Sequence, residues 1–420
     1  MGEVGLSREG RRFADLMPSR ADLALDRNDF RAVCLFAACF VYALFGSPTP
    51  DRFGWAEILT GGLLALGGGA GRFREVFVSF GRRSFWRGSG QVFLLYGLSV
   101  PVIGAAFAGA NMVTVLRDMV PFLFLFLPLF YVRLFEDRPG YYRTILFAVL
   151  MVGLIFSLRS LVMVDSSLCW FWCTEELLYL ENMPTVLFTA LFLCGAACAR
   201  VMRRAGFVDL TWFGLLAALA CVPLAAMALT LQRASLGAFV FYMGMVFAYL
   251  FYKRPYRALV LLVCGAVAAS FVWALFSHIF VTLSDKTALV GLNQRPQEWA
   301  AVWDVVTSSP WRFLFGLGWG GEFNSPAVGE LRVNFTHNFF STMLLKAGVC
   351  GLFLSLGYIL GFAEILGRLL LKNPVLGLAL AAPVLIDLTL YASFKSLDFG
   401  LVLLMIPASL IYSKHSESTV

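Results

Sequence analysis

The chain has 420 residues, of which 60% are apolar and 14% charged, and its mean hydropathy is +0.79. Soluble domains are about a quarter charged, so this composition excludes an ordinary soluble protein and points to a membrane protein. A net charge of +7 does not argue for a nucleic-acid partner, because the basic residues occur as short clusters between apolar runs, the pattern of loops facing the cytoplasm.

Residues 1–31 are polar and carry Arg8, Arg11, Arg12, Arg20, Arg27 and Arg31, with no apolar run and no small-residue cleavage site. They read as a cytoplasmic tail, and the first span serves as an uncleaved insertion signal. A span needs about 20 apolar residues, fewer where the flanks adapt. On that template twelve helices follow, near 32–47, 55–70, 91–110, 119–135, 144–164, 184–200, 211–230, 235–252, 258–280, 338–367, 374–393 and 399–413. The second is short and rich in glycine (Gly61, Gly62, Gly67, Gly68, Gly69). The layout is therefore nine helices over 32–280, one large loop over 281–337, three helices over 338–413 and a short tail over 414–420. The fold class is all-α, a polytopic integral membrane protein of about twelve transmembrane helices.

Charge supports that layout. With the N-terminus inside, 23 of the 33 basic residues fall in cytoplasmic segments, eight fall in outer segments, and Arg159 and Lys346 fall within spans. Such asymmetry orients the chain with both termini in the cytoplasm. Seven of the nine cysteines lie in or beside spans as small packing residues. Cys169 and Cys173 lie in an outer loop, where they are either free or joined in a local disulfide.

That loop, 165–183, also holds Trp170, Phe171, Trp172, Glu175, Glu176 and Glu181. It reads as an interfacial aromatic belt or as a platform for lipid or sugar. The large loop 281–337 is short for an independent domain and is expected to fold back over the bundle. Within it Trp299, Val302, Trp303 and Val306 recur at helical spacing, which predicts an amphipathic helix across the outer surface, ended by Pro310. The run Phe315-Gly316-Leu317-Gly318-Trp319-Gly320-Gly321 then reads as a flexible segment able to wrap around a ligand.

Chemistry concentrates on the outer face. Arg159 near the outer end of the fifth helix, Arg233 in a tight turn, Arg295 in the large loop and His337 at the start of the tenth helix all project to one side of the membrane. Guanidinium groups bind phosphate oxygens through a bidentate fork, which suits a phosphorylated substrate in the outer leaflet. The structural alternatives are a snorkelling Arg159, a turn-capping Arg233, a solvated Arg295 and a His337 that only settles a helix start. An imidazole, with an ordinary pKa of about 6.5, takes a proton from an acceptor hydroxyl at ambient pH. Asn338 either orients that ring or caps the helix.

Lys346 and Asp387 each lie on the order of 10–13 Å below the outer ends of their helices at 1.5 Å per residue. Charges at that depth are costly alone, so the two are expected to pair, in a mainly structural role. The sequence has no Cys/His metal cluster, no outer Asp-x-Asp pair and no nucleotide loop. No metal or other cofactor is therefore expected. An outer-face enzyme also has no ATP to draw on, so its donor must arrive activated.

His337-Asn338 followed after nine residues by Gly348-x-x-Gly351, together with Arg295, Trp299, the Phe315-Gly316-Leu317-Gly318 run and the turn Arg233-Ala234-Ser235-Leu236-Gly237, resembles the O-antigen ligases. These belong to a wider superfamily of lipid-linked polysaccharide ligases and polymerases. The resemblance implies a metal-independent, inverting glycosyltransferase of the GT-C type in the bacterial inner membrane, with one large periplasmic loop and its active site on the periplasmic side. It implies undecaprenyl-diphosphate-linked O-antigen as donor and lipid A-core as acceptor, amid membrane lipids. His337 would be the general base, Arg233 and Arg295 would hold the diphosphate with Arg159, and Asn338, Gly318, Lys346 and Asp387 would support the site. A polymerase, a protein O-oligosaccharyltransferase and a lipid-linked sugar transporter are the competing readings; a transporter should show repeated halves with facing broken helices, and no such repeat is visible.

Overall fold

The computed structural model describes residues 27–46, 54–78, 84–164, 180, 182–203, 206–259, 261–263, 265–266 and 294–418. Through them run α1 (Arg27–Phe45), α2 (Trp55–Gly68), α3 (Ala70–Val78), α4 (Phe85–Phe107), α5 (Met112–Phe124), α6 (Leu127–Asp137), α7 (Tyr141–Val164), α8 (Pro184–Arg203), α9 (Phe207–Leu229) and α10 (Arg233–Lys253). After the large loop's α11 (Arg295–Thr307) and α12 (Pro310–Phe315) come a two-stranded antiparallel ribbon, β1 (Phe323–Ser325) with β2 (Leu331–Val333), then α13 (Phe339–Lys372), α14 (Pro374–Thr389) and α15 (Leu397–Ser418).

Among the described residues nine helices, α5 and α6 counted as one, are long and apolar enough to cross a membrane. The chain is an all-α polytopic membrane protein, with the small ribbon as the one sheet among those residues. Two of the twelve expected spans differ. The second is the 14-residue α2, which turns at Gly69 directly into α3. At 1.5 Å per residue α2 is about 21 Å long, short of the roughly 30 Å hydrocarbon core. Its last carbonyls are held by Arg31, whose Nε donates to Gly67 O at 2.8 Å, so this buried arginine is a helix cap and not a free tail charge. The eleventh, α14, has 16 residues. Most of the expected ninth span, 258–280, lies outside the described residues, as do 165–179 with Cys169 and Cys173, and Cys264. The six described cysteines are unpaired.

Lipid tails are as apolar as the helices, so the bundle is held by close packing and by satisfied polar groups. Phe93, Phe122, Phe126, Tyr358 and Trp319 form a continuous aromatic cluster between α4, α5, α13 and the large loop. Where α5 gives way to α6, Leu129 N donates to Phe126 O at 2.9 Å, and the Leu125 carbonyl so freed accepts from the Tyr358 hydroxyl at 2.7 Å. At one end of the bundle ion pairs join the helix starts and short loops: Arg72 to Glu75 and Asp137, Arg87 to Glu136 and Arg138 to Asp29. The large loop sits at the opposite end, against the C-terminal part of α4.

The long α13 is two helices in series. Gly348 has φ +66 and ψ −169, so the α conformation stops there and resumes after it. The carbonyls just before the break have no partner in the helix and find them elsewhere. Leu345 O accepts from Leu317 N at 2.8 Å, Lys346 O from Gly318 N at 3.0 Å, and Ala347 O from the Tyr96 hydroxyl at 2.7 Å. A Cβ on Gly348 would meet the carbonyl group of Leu314 in a backbone conformation that L side chains resist. Gly348→Ala is expected to destabilise the protein by about 1–3 kcal/mol for the strained backbone alone. A lower unfolding midpoint in a detergent thermal-shift assay is the check, and a midpoint equal to wild type would refute the break's structural role.

The glycine-rich run before β1 differs from the expected flexible ligand wrap. It is a strap laced into the bundle: Trp319 N donates to Pro101 O at 3.1 Å, and Trp319 Nε1 donates to Gly97 O at 2.7 Å. Gly97 O is available because Pro101, four residues on, has no N–H to give it. Gly318, at φ +83, lies so close to α4 that a Cβ would collide with the backbone of Gly104 and Ala105.

Candidate active site

The site is assembled from three outer segments. The first is the turn between α9 and α10. Leu231 turns the chain at φ +56, Gln232 is buried with its amide donating to Thr230 Oγ1 at 2.8 Å, and Arg233 follows as the first residue of α10. The second is α11, which begins with Arg295-Pro296. Proline suits a first turn because its missing N–H has no helical partner there. Pro310 plays the same part in α12, so it begins a helix as well as following one.

The buried face of α11 is Glu298, Val302 and Val306, at i, i+4 and i+8. Trp299 and Trp303, expected to share that face with the valines, point outward at 36% and 50% exposure. Arg295 and Glu298 are one turn apart and so neighbours on the helix surface. The third segment is the chain between Thr336 and Phe340. Thr336 is buried and its hydroxyl contacts those of Ser341 and Thr342, both at 2.7 Å. Asn338 caps α13, its Oδ1 accepting from Phe340 N at 2.8 Å while its Nδ2 donates to Thr389 O at 3.0 Å.

His337 is thereby held against Glu298. Its Nδ1 lies 3.0 Å from Glu298 Oε1, and its backbone N–H donates to Glu298 Oε2 at 3.1 Å. Ser325 in β1 donates to the same Oε1 at 2.9 Å. Burial pushes the Glu298 carboxyl up, but the His337 hydrogen bonds and charge and the Ser325 hydroxyl outweigh it and hold the group below its ordinary value. A carboxylate only accepts, so the contact assigns the proton to Nδ1 and leaves Nε2 as the basic nitrogen. The imidazole is partly exposed, at 27%, whereas the Glu298 side chain is enclosed, at 2%.

Beside this pair lies a cationic group. The guanidinium carbon of Arg295 is 5.6 Å from the centre of the Tyr391 ring, and its Nε is buried without a hydrogen-bond partner. Burial lowers the Arg295 pKa, Tyr391 and Glu298 oppose that, and the charge of Arg233 adds to the lowering. Burial pushes the Tyr391 phenol up, and the charges of Arg295 and Arg233 oppose that rise. Arg233, Arg295, Glu298, His337 and Tyr391 are thus one constellation drawn from four distant parts of the sequence.

Arg159 is used differently. It is buried, its Nη1 donates to Ala43 O at 3.0 Å and Gly46 O at 2.8 Å, and its guanidinium lies 5.3 Å from the Phe156 ring centre. A cation at a helix C-terminus stabilises the last carbonyls and the negative end of the dipole. Arg159 caps α1 and is not in contact with the arginine pair.

The expected Lys346–Asp387 pair does not form. Lys346 is fully enclosed and binds Asp118 Oδ2 at 2.5 Å and Gly321 O at 2.6 Å. Asp118 also takes Lys395 on Oδ1 at 3.2 Å and the Gly320 N–H on Oδ2 at 2.8 Å. The node fastens the strap to α5 and to the turn before α15. Asp387 has a buried Oδ2 without a hydrogen-bond partner. Depth along a helix was matched, but the side chains face different neighbours. Gly318 lies in the same strap, its N–H donating to Lys346 O at 3.0 Å.

Sequence reasoning missed Glu298, Tyr391 and Asp118. For Glu298 a signal existed: it stands in i, i+4, i+8 register with Val302 and Val306, so an acid lies in line with an apolar stripe. Tyr391 and Asp118 carry no comparable mark.

Residues 216–356, which include Arg233, Arg295, Glu298, His337 and Gly348, match the family model described as O-antigen ligase. No curated protein matches the chain. The matched family implies a glycosyl-transferring enzyme. The likeness to the O-antigen ligases, within the superfamily of O-antigen ligases and polymerases, is thus carried by residues 216–356.

Proposed function

We propose that the chain ligates O-antigen polysaccharide, carried on undecaprenyl diphosphate, to a sugar hydroxyl of lipid A-core. The reaction takes place at the periplasmic face of the bacterial inner membrane, with both termini in the cytoplasm. The observation that carries the reading is a Glu298-held His337 beside two arginines from separate segments. In the proposed step Nε2 of His337 takes the proton of the acceptor hydroxyl while its oxygen attacks the anomeric carbon. The bond to the diphosphate breaks, and the negative charge passing to the leaving group is met by Arg233 and Arg295. One displacement of this kind inverts the anomeric centre. Glu298 keeps the Nδ1 proton in place and stabilises the imidazolium as it forms, by the logic of the carboxylate-imidazole pair in hydrolases. The step as drawn uses no metal.

The test is made in cells lacking the native protein. Such cells should keep an uncapped core and accumulate lipid-linked polymer of normal length, and the wild-type chain should restore capping. Capping by single repeats alone would mean that the chain is a polymerase. Intact capping with loss of glycosylated protein would mean a serine or threonine hydroxyl as acceptor. In a reconstituted assay a chelator should leave the rate unchanged, and a strong loss would overturn transfer by arginine and histidine alone.

A further inference from the structure

We propose that Trp299 and Trp303 form a track on the outer face of α11 that takes successive sugar rings of the donor's glycan chain; the substrate class rests on the function proposed above. Arg295, Trp299 and Trp303 stand at i, i+4 and i+8, so they make one row along the helix. At 1.5 Å per residue they are about 6 Å apart along its axis, and the row ends about 12 Å from where it starts. It starts one turn from the carboxylate that holds His337 and leads away from it. The helix is fixed beneath the row, because Val302 and Val306 pack with Leu344 and Leu345 of α13. The Trp303 ring is set against Phe313 of α12, nearly perpendicular to it with centroids 6.1 Å apart, yet the side chain is half exposed. Its orientation is fixed while its surface stays open.

The neighbours of the two rings favour a glycan over lipid. The rest of the exposed face of α11 carries Gln297, Ala300, Asp304 and Thr307, and no exposed lysine, leucine, isoleucine or valine. A helix lying in a membrane surface pairs Lys or Arg on one face with Leu, Phe or Trp on the other. The short α12 has that composition, with exposed Trp311, Arg312 and Leu314, and α11 does not. Gln297 and Asp304 make no side-chain hydrogen bond or ion pair among the described residues. The C–H face of a sugar ring packs on the negative face of an indole, and the hydroxyls at its rim need polar partners. A row of indoles flanked by an amide and a carboxylate meets both needs.

The track predicts a dependence on donor length. Protein in proteoliposomes is given prenyl-diphosphate donors carrying one, two, three or more sugars, with one common acceptor. Wild-type KM should fall as sugars are added until the row is covered. Trp303→Ala should raise KM about 3- to 10-fold for the longer donors and leave the one-sugar donor unaffected. Its kcat should not change, because the contact is the same in ground and transition states. Trp299→Ala should already act on shorter donors, since it stands nearer the site. Trp303→Phe should keep most of the gain from added sugars, whereas Trp303→Leu, apolar but without a ring face, should lose it. Trp311→Ala removes an exposed ring off the row and should change no KM.

An equal rise in KM at every donor length, or the same effect from Trp311→Ala, would assign the rings to the bilayer surface or to packing and overturn the track. Trp303→Leu with wild-type KM throughout would overturn it as well. A wild type that transfers every donor with one KM would overturn the track and leave the proposed reaction standing. A wild type that transfers none would overturn that reaction, and the track with it. Should Trp303→Ala fail to fold, judged by gel filtration, the contrast of Trp303→Phe with Trp303→Leu decides the matter.

Discussion

His337→Ala is expected to lower the rate of glycosyl transfer by about 10²- to 10⁴-fold, the usual contribution of a positioned general base. The protein should still fold, because the imidazole is partly exposed and α13 is capped by Asn338 whatever residue precedes it. Glu298→Gln should lose less than His337→Ala, since its effect passes through the ring. The double variant should be no slower than His337→Ala alone, because residues that act as a unit do not add. Rates with defined donor and acceptor in proteoliposomes make the measurement. A His337→Ala enzyme at wild-type rate removes the base, and fully additive losses remove the dyad. The pH range follows from Glu298. Its carboxyl is held below its ordinary value, burial opposing and the His337 and Ser325 contacts prevailing. With a folded pKa below the unfolded value of about 4.3, the stabilisation from this contact is fully present above that value and lost as pH falls through the folded pKa. Protection of the 336–338 backbone from hydrogen exchange should therefore hold at neutral pH and fail only in strong acid.

The second large effect is expected at Asp118. Asp118→Ala leaves the enclosed Lys346 ammonium, Lys395 and the Gly320 N–H without their common acceptor. Breaking a buried ion pair from one side costs about 3–5 kcal/mol. A sharp fall in the unfolding midpoint, with loss of detergent-stable protein, is the expected outcome. Asp118→Leu combined with Lys346→Met should recover much of it, because removing both charges removes the uncompensated one, and Lys395 can reach outward along its flexible stem. Lys346→Met alone should be milder than Asp118→Ala, since Asp118 keeps Lys395. Asp118→Ala melting with the wild type would show that the node is not what fastens the strap.

The features legible in the sequence were those with a period or a fixed local chemistry. Apolar runs marked the long helices α4, α7, α8, α9, α10, α13 and α15, the Arg233 turn fell between two of them, and Asn338 before Phe339 marked a helix start. Gly348 and Gly351 indicated close packing, and Gly348 adds a break that only its backbone angles reveal. What failed was everything that depends on which way a side chain faces. Trp299 and Trp303 dominated the pattern of α11 by size, so the buried stripe was read one residue away from Glu298. Asp118 stood one residue outside the span predicted from 119 and beside Arg117, where nothing in the sequence singled it out. Lys346 and Asp387 were paired by depth alone, and Arg159 was grouped with Arg233 and Arg295 because all three face the same side of the membrane. A side of a membrane is a plane with room for more than one neighbourhood, and Arg159 caps α1 in another.

The break at Gly348 has a mechanical meaning. The lower part of α13 spans lipid, and any change in bilayer thickness would tilt or shift it. The upper part, from Phe339 to Ala347, is bolted through its own carbonyls to the strap and to Tyr96 of α4. Bending is taken up at one glycine, so the histidine rides on a bracket isolated from the membrane's deformations.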